Sequence, residues 1–309
     1  MMMKMPQIVS KQYIAQTRTV FHCQCKIKIP LDYGEALLDE CFEILEKIDQ
    51  KYNSYQAGSY FDKINKNHGH WVEVDQECTA MLQMVKLISQ ITNGSYDITC
   101  MPLLRMWGFY RQNNQAIPSG SEIEEALQKV DCRFIEIAKN HVRIGDGQEI
   151  ITGSFLKAFA VDKALAFLKS RGVSDAIINA GGSTISAIND DSHSSWKVNI
   201  PDAFVENNYV GTAKISNQTF SLSGTLNNHL IVNGKKYSHI LDSKTGMPVT
   251  TAQVGVITNE AFLGDVLSTA LFTVSPVTLH RVAENLKKHF DFEYFRIEEN
   301  GTKTSGICF

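Results

Sequence analysis

The chain has 309 residues, of which 43% are hydrophobic and 20% charged, a composition typical of a soluble globular protein with a substantial core. Its formal net charge of −3 excludes the basic surface expected of a protein that binds nucleic acid or an anionic membrane. Seven cysteines, an odd number without a Cys-x-x-Cys pair, indicate reduced thiols rather than a disulfide framework.

The N-terminal part of the chain is predicted to alternate strand and helix. Its first residues contain no apolar run long enough for a signal peptide or a membrane helix, and no lipid-attachment cysteine, so we expect a cytoplasmic protein. Residues 17–30 mix β-branched, aromatic and alternating polar side chains, which predicts a strand. Residues 35–51 place apolar side chains at helical spacing, and residues 75–90 do the same behind Asp75, a favoured N-cap.

Two stretches carry more aromatic and polar side chains than a core element needs. Residues 52–65 include Tyr55, and residues 94–109 read Gly-Ser-Tyr-Asp-Ile-Thr-Cys-Met-Pro-Leu-Leu-Arg-Met-Trp-Gly-Phe. Surface tyrosines in a loop that enters a helix explain the first stretch, while a buried Trp and an N-capping Asp explain the second. On these residues alone, both the structural and the functional interpretation stay open.

The central part begins with a short helix, predicted at the capping box of Ser121 and Glu124, and a hairpin over residues 134–144. Residues 150–162 follow as a tight turn that leads into a helix with Lys157 near its start. Because helix N-termini and ammonium groups both favour anions, this turn is a candidate site for a phosphate group. A plain helix with a solvated lysine explains the same residues.

The C-terminal half is predicted to be rich in strands. A hairpin over residues 229–240, turning on Asn233-Gly234, brings His239 to a turn over residues 242–248. The other expected elements are strands over residues 175–184 (ending in a Gly-Gly turn), 196–201, 210–215, 219–222 and 291–297, and a helix that opens at Pro276.

A helix that begins at Asn259 carries Asp265 and Thr269 four residues apart, on one face. Two oxygens so placed can bind a hard cation such as Mg²⁺, which takes oxygen ligands and keeps several waters. A capped amphipathic helix with solvated side chains is the plain alternative. The presence of His239 and Asp242 shortly upstream favours a functional site over that alternative.

Several of these stretches resemble, in order along the chain, the motifs of the ApbE family of FAD:protein FMN transferases. The resemblance is strongest at residues 239–249 (His-Ile-Leu-Asp-Ser-Lys-Thr-Gly-Met-Pro-Val) and 264–271 (Gly-Asp-Val-Leu-Ser-Thr-Ala-Leu), and it extends to residues 52–65, 94–109 and 150–162. It implies an α+β, two-lobed fold with mixed and antiparallel sheets around an FAD-binding cleft. We expect residues 1–309 to form a single domain of this type.

The resemblance also implies a reaction and its residues. Family members bind FAD and Mg²⁺, and they transfer FMN to a Thr or Ser hydroxyl of a target flavoprotein with release of AMP. The implied catalytic residues are His239, as a base, and Lys157, and the implied Mg²⁺ ligands are Asp265, Thr269 and the main-chain carbonyl of Ser154. The implied FAD contacts are Tyr55, Tyr96, Asp97, Ile98, Ile151, Lys157 and Leu241. No nucleic acid and no membrane span is expected.

Three departures from the family pattern weaken the implied function, and the resemblance places two of them, Arg18 and Ile151, at the flavin nucleotide. Arg18 replaces a Gly, Ile151 replaces an Asp and Ser183 replaces another Asp. Three other functions therefore stay open: a flavin-carrying protein with eroded catalysis, an FAD pyrophosphatase that uses water as the acceptor, and a structural partner of a flavoprotein. Retention of His239 and Asp265 favours an enzyme.

Overall fold

The computed structural model describes residues 11–109, 117–225, 229–232 and 234–307. Helices and antiparallel sheets occur together in it, which confirms the α+β class predicted from the sequence. Within those residues, no helix is both long and apolar enough to cross a membrane. Asn233, at the tip of a predicted hairpin, lies outside the described residues.

The regular elements follow one another along the chain with short connections. The helices are α1 (Glu35–Tyr52), α2 (Tyr60–Lys66), α3 (Gln76–Ile91), α4 (Met101–Trp107), α5 (Gly120–Leu127), α6 (Leu156–Ser170), α7 (Ala261–Thr273) and α8 (Leu279–Lys287). The strands are β1 (Tyr13–Val20), β2 (Cys23–Pro30), β3 (Val72–Glu73), β4 (Glu136–Ala138), β5 (His141–Arg143), β6 (Ala176–Ala180), β7 (Thr184–Ile188), β8 (Trp196–Pro201), β9 (Tyr209–Ile215), β10 (Thr219–Gly224), β11 (His229–Val232), β12 (Lys235–Ser238), β13 (Thr251–Thr258), β14 (Glu293–Glu298) and β15 (Lys303–Ser305).

The largest sheet has the strand order β1-β2-β6-β7-β10-β13-β14-β15, and every neighbouring pair is antiparallel. All eight residues of β13 are buried, because both faces of this strand are covered. Val254 and Val256 join the apolar cluster that includes α1, α6 and α7, whereas Ile257 joins a second cluster with the β8–β9 hairpin. This division follows from the alternation of side chains along a strand.

A third, smaller apolar cluster joins α4 to the turn that follows β12. The indole Nε1 of buried Trp107 donates a hydrogen bond of 2.8 Å to the carbonyl of Gly246. Gly246 has φ +68°, and a Cβ added there would lie 2.7 Å from Cγ2 of Ile123. A glycine is therefore required at this turn both for its backbone conformation and for its close contact with α5.

Two N-terminal predictions are wrong in detail. Residues 17–30 form a hairpin rather than one strand, because Phe21 and His22 make a two-residue turn with φ of 54° and 57°. Neither residue type signals such a turn, since left-handed backbone ordinarily selects Gly or Asn. The capping box that starts α5 uses Ser119 and Glu122, two residues before the predicted pair.

The start of α7 also differs from the prediction. The N-cap position is Glu260 rather than Asn259, and its side chain makes no capping hydrogen bond. The helix expected to open at Pro276 begins at Leu279 and is short. The predicted helices over residues 35–51 and 75–90 are confirmed, the second with the Asp75 carboxylate accepting from the backbone N–H of Cys78 at 2.8 Å.

Candidate active site

A cavity of about 520 Å³ is formed by the start of α6, the turn after β6, the segment after β12 and one face of α7. These elements are far apart in the sequence, so the cavity depends on the packing of α6 and α7 against the sheet. Of the residues singled out in the sequence, the following line it: Tyr96, Asp97, Ile151, Ser154, Lys157, His239, Leu241, Asp265 and Thr269.

Two interactions hold α7 in place, one against the sheet and one against α6, and thereby position Asp265. At Gly264 an added Cβ would lie 2.6 Å from the hydroxyl of Ser221 and 2.7 Å from that of Thr258, so the helix backbone approaches strands β10 and β13 closely. At the helix start, the Asp162 carboxylate accepts the backbone N–H groups of Ala261 (2.7 Å) and Phe262 (2.8 Å). Both first-turn donors, which otherwise lack helical partners, are thus satisfied from α6.

Asp265 is buried at the cavity wall and is surrounded by hydrogen-bond donors. Its two oxygens each lie 2.8 Å from the hydroxyl of Thr184, the first residue of β7. The ammonium group of Lys157 lies 3.3 Å from Asp265 Oδ2, and it also contacts the hydroxyls of Ser183 (2.8 Å) and Thr184. Lys157 and Asp265 therefore form an ion pair, so that each of these two largely buried charges lies beside a group of opposite charge.

A row of hydroxyl groups continues from this ion pair along α7. The Ser223 hydroxyl lies 2.8 Å from that of Ser268 and 3.4 Å from that of Thr269. Ser268 in turn donates to the backbone carbonyl of Asp265 at 3.0 Å. The α7 face of the cavity therefore presents one carboxylate and several neutral oxygens, which are hard-donor groups.

Another part of the cavity wall is built around Tyr96 and Asp97. The Tyr96 hydroxyl is 2.9 Å from that of Ser154, which places the turn before α6 against this segment. The Asp97 carboxylate accepts the backbone N–H groups of Thr99 (2.8 Å) and Cys132 (2.7 Å). Burial raises the pKa of Asp97, an effect that these hydrogen bonds partly oppose. The Asp97 carboxylate therefore holds the backbone of this segment in place through these hydrogen bonds.

His239 and Leu241 reach the cavity from the segment after β12. The His239 ring is half-buried and lies edge-on to the Phe109 ring, with 6.4 Å between centroids. Asp242 accepts the backbone N–H of Lys244 at 2.8 Å, and its own N–H donates to the carbonyl of Met247 at 2.8 Å. The carboxylate of Asp242 therefore forms the turn that holds this segment against the cavity.

Comparison with known proteins accounts for this arrangement. The ApbE family model matches residues 20–292, most of the chain. The chain belongs to the ApbE family. An FAD:protein FMN transferase of Klebsiella pneumoniae is 24% identical over 249 residues, covering 78% of this chain and 76% of that protein. One of Buchnera aphidicola is 27% identical over 235 residues, covering 73% and 68%.

Solved ApbE structures have the same fold. The ApbE protein of Thermotoga maritima superposes with a TM-score of 0.86 at 24% identity, over 95% of this chain and 97% of that one. The flavinyl transferase ApbE of Pseudomonas stutzeri in its apo form gives 0.82 at 23% identity, over 96% and 95%. These superpositions confirm the α+β fold of the ApbE type that the resemblance implied.

Three residues that the ApbE resemblance placed near the flavin nucleotide lie outside the cavity lining. Tyr55 is 41% exposed, and its hydroxyl lies 4.0 Å from Sδ of Met101, at the start of α4. Ile98 is buried in the core, where its carbonyl accepts the N–H of Ile151. Arg18 projects from β1 and bonds Asp39 on α1.

The sequence analysis missed several residues of this ApbE site. Thr184 bonds both oxygens of Asp265, and Ser183, noted only as a departure, accepts a hydrogen bond from Lys157. Both follow the Gly-Gly turn after β6, which was the available signal. Ser223 and Asp162 are also part of the constellation. Asp162 ends the stretch 150–162 that resembles a family motif, but no role was expected for either residue, because their partners lie 45 to 100 residues away.

Proposed function

We propose that this chain is an FAD:protein FMN transferase, which moves FMN from FAD onto a Thr or Ser hydroxyl of a target flavoprotein and releases AMP. The observation that carries the proposal is the convergence of Lys157, Asp265 and His239, from three separate parts of the chain, on one cavity. Transfer of a phosphorus-linked group to a hydroxyl requires a cationic group, stabilisation of anionic oxygens and a proton acceptor. The names of the curated relatives support the same reaction.

The family implies Mg²⁺, and the donors on the cavity wall fit this ion. Asp265 offers a carboxylate, Thr269 offers a hydroxyl one helical turn later, and the carbonyl of Ser154 is the proposed third ligand. Among the described residues, no group of three or more His, Cys, Asp or Glu side chains suits a metal. Mg²⁺ is usually held by one or two carboxylates together with substrate phosphates, so the small donor set agrees with it. A bound Mg²⁺ neutralises negative charge on phosphate oxygens.

Lys157 is proposed to bind the pyrophosphate of FAD. Its ammonium group is held at the cavity wall by Ser183 at 2.8 Å and Asp265 at 3.3 Å, so its direction is fixed before any substrate enters. It also lies in the first turn of α6, where the unpaired backbone N–H groups attract anions. Both features favour a phosphate oxygen at this end of the cavity.

His239 is proposed to take the proton of the attacking hydroxyl. The new bond forms between that oxygen and the phosphorus of the FMN part, and the bond to the AMP phosphate oxygen breaks. Leu104, Ile151 and Leu241 supply an apolar lining in the same cavity as His239. By excluding water, these side chains favour transfer to a protein hydroxyl over hydrolysis.

The test is incubation with FAD, Mg²⁺ and a flavoprotein domain that carries a candidate Thr or Ser. The products are separated on a denaturing gel viewed under ultraviolet light, and the nucleotides are measured by chromatography. A fluorescent acceptor band with an equal amount of AMP, lost on chelation of the metal, supports the proposal. Free FMN and AMP without a labelled acceptor would make the protein a pyrophosphatase, and unchanged bound FAD would make it a flavin carrier.

Substitution at Asp265 directly tests whether the α7 face of the cavity binds Mg²⁺ for the reaction. Asp265→Asn keeps the shape but removes the charge, so transfer should fall by about 10²–10³-fold, the usual cost of removing one electrostatic partner from an active site. The matched control is Asp191→Asn, at an exposed carboxylate. Transfer by Asp265→Asn at the rate of this control, with both circular dichroism spectra unchanged, would remove Asp265 from the mechanism.

A further inference from the structure

Cys23 and Cys25 form a thiol pair at the start of β2. Because side chains alternate along a strand, the two lie on the same face, and their sulfurs are 3.8 Å apart. Cys25 is fully buried, whereas Cys23 is partly exposed.

This pair lies directly behind the wall of the cavity. A Cβ added to Gly181 would be 3.0 Å from both Cβ and Sγ of Cys23, so the two residues are packed closely together. Gly181 begins the turn that leads to Ser183, and Ser183 accepts a hydrogen bond from Lys157 at 2.8 Å. Any change in the volume or position of Cys23 is therefore transmitted to the group that holds Lys157.

We propose that Cys23 and Cys25 are an oxidation site, at which a peroxide converts the two thiols to a Cys23–Cys25 disulfide that displaces the adjoining cavity wall. Adjacent same-face residues of a strand have Cα atoms about 6.7 Å apart. That is the long end of the range of about 4.4–6.8 Å that disulfides span. Because a disulfide also needs the two Cβ atoms about 3.5–4.5 Å apart, closer than parallel same-face side chains stand, it forms only if the backbone moves Cys23 toward Cys25 and away from Gly181.

The chemistry of the step is a two-electron oxidation by the peroxide. The Cys23 thiolate attacks one peroxide oxygen and the O–O bond breaks, so that Cys23 becomes a sulfenic acid. The other oxygen leaves as hydroxide, which takes up the proton that Cys23 released on ionising and becomes water. The sulfur of Cys25 then attacks the sulfur of Cys23, and the sulfenic oxygen leaves as a second water with the proton of Cys25. Two thiols and one peroxide thus give one disulfide and two waters.

The surroundings assign the attacking role to Cys23. The hydrogen bond with Cys25 lowers the pKa of the Cys23 thiol, and the positive charge of Lys157 acts in the same direction. The same hydrogen bond and its burial raise the pKa of Cys25. The partly exposed thiol is therefore the one that ionises first and meets a solvent oxidant, and its buried neighbour resolves the product.

Peptide mass spectrometry tests the chemistry independently of any enzymatic activity. Trypsin cleavage after Arg18 and Lys26 isolates Thr-Val-Phe-His-Cys-Gln-Cys-Lys, which contains both thiols and no other cysteine. The intact protein is treated with hydrogen peroxide, and the remaining thiols are then alkylated. We expect this peptide to escape alkylation and to be lighter by two hydrogen atoms, and dithiothreitol should reverse the change.

The controls separate a specific pair from general oxidation. Cys100 also lines the cavity, but burial raises its pKa to about 12, so its peptide should remain fully alkylated. In Cys25→Ser, the Cys23 sulfenic acid should persist and react with dimedone. Full alkylation of the peptide from Thr19 to Lys26 after peroxide, or its conversion to sulfonic acid without a disulfide, would overturn the proposal.

The effect on the cavity wall is measured by FAD binding, and this arm alone rests on the proposed function. Oxidation should weaken binding by about tenfold, the scale of one lost hydrogen bond at Lys157. Cys23→Ser should bind FAD equally well before and after peroxide. Equal affinity of the oxidised and reduced wild-type protein would refute the coupling, whereas a reduced protein that binds no FAD would refute the proposed function and leave the peptide result standing.

Discussion

The carboxylate of Asp162, on α6, accepts the backbone N–H of Phe262 at the start of α7, 100 residues further along the chain. Its other oxygen accepts the N–H of Ala261, so one side chain satisfies two donors of the helix that carries Asp265. An aspartate outside α7 thereby fixes the position and rotation of the helix. The α7 face of the cavity, with its carboxylate and hydroxyl groups, depends on this contact as much as on the residues of α7 itself.

Asp162 gives a prediction for the pH dependence of stability. Burial raises its pKa from 3.8 to about 6, although the two N–H groups oppose the shift. Its contribution to the free energy of unfolding is therefore fully present below about pH 4 and is lost as the pH rises through about 6. Asp162→Asn imitates the neutral acid, so its stability relative to wild type should rise by up to roughly 3 kcal/mol between pH 4 and pH 8.

Urea denaturation of wild type and Asp162→Asn between pH 4 and pH 8 measures the difference in their free energies of unfolding. The titration of all other groups cancels in this difference, because the two proteins share them. Asp190→Asn is a control of opposite sign, because the hydrogen bond from Lys11 lowers the pKa of Asp190. Its wild-type advantage should stay constant between pH 8 and pH 4 and shrink only below about pH 4, near the ordinary pKa of an aspartate. If the difference in unfolding free energy between wild type and Asp162→Asn did not change with pH, the pKa of Asp162 would not be raised by burial.

Gly264 gives a second prediction about α7. Gly264→Ala adds a Cβ less than 3 Å from the hydroxyls of Ser221 and Thr258, so α7 must move away from the sheet and carry Asp265 with it. We expect a loss of about 1–3 kcal/mol of stability from overpacking, together with loss of FMN transfer. Thermal unfolding and the gel assay measure the two effects.

The matched control is Gly120→Ala on α5, where a Cβ meets nothing within 4 Å. This substitution should be neutral or stabilise by up to about 1 kcal/mol, because Ala has the higher helix propensity. If Gly264→Ala were as stable and as active as Gly120→Ala, the close approach of α7 to the sheet would not position the site.

The sequence predicted those parts of the site whose residues lie close together in the chain. Asp265 and Thr269 are one helical turn apart, and Lys157 follows a recognisable turn, so local periodicity was sufficient. The roles of Thr184 and Asp162 were not predicted because each acts on a residue at least 81 positions away. Such contacts are decided by strand order and helix packing, which a single sequence does not encode in any local pattern.

The errors at element ends have the same origin. Asn259 is a good N-cap by residue type, yet α7 is capped by a side chain from α6, so tertiary structure replaced the local signal. The turn at Phe21 and His22 was missed because pairing of β1 with β2 holds both residues in a conformation that neither favours alone. Strand pairing and burial outweigh the intrinsic preferences of two or three residues.

Tyr55 tests whether the flavin ring extends beyond the cavity. Tyr55 is exposed beside Met101, and the neighbouring residues Cys100 and Leu104 line the cavity. A flavin ring that extends out of the cavity at this point would therefore contact Tyr55. Tyr55→Ala should weaken FAD binding by roughly 1–2 kcal/mol through loss of stacking. Fluorescence titration measures it, and Tyr33→Ala, at another exposed tyrosine, should bind as wild type does. Equal affinity of both variants would exclude Tyr55 from the site.

His239 gives the prediction that bears most directly on the transfer step. It lines the cavity together with Lys157 and Asp265, and the turn formed by Asp242 holds its segment in place. If it accepts the proton of the attacking hydroxyl, His239→Asn should keep FAD and Mg²⁺ binding but slow transfer by about 10²–10⁴-fold. Imidazoles titrate near neutral pH, so the fall in wild-type activity on the acidic side should be absent from the variant.

Binding and rate must be measured separately for this histidine, because a ligand and a base give different results. Isothermal titration gives the affinity for FAD, and single-turnover labelling of the acceptor gives the transfer rate across pH 5–9. His239→Gln, which also keeps a polar side chain but reaches further, serves as a second variant. A wild-type rate in either variant would refute the role as base, and loss of FAD affinity with an unchanged rate at saturation would make His239 a substrate ligand.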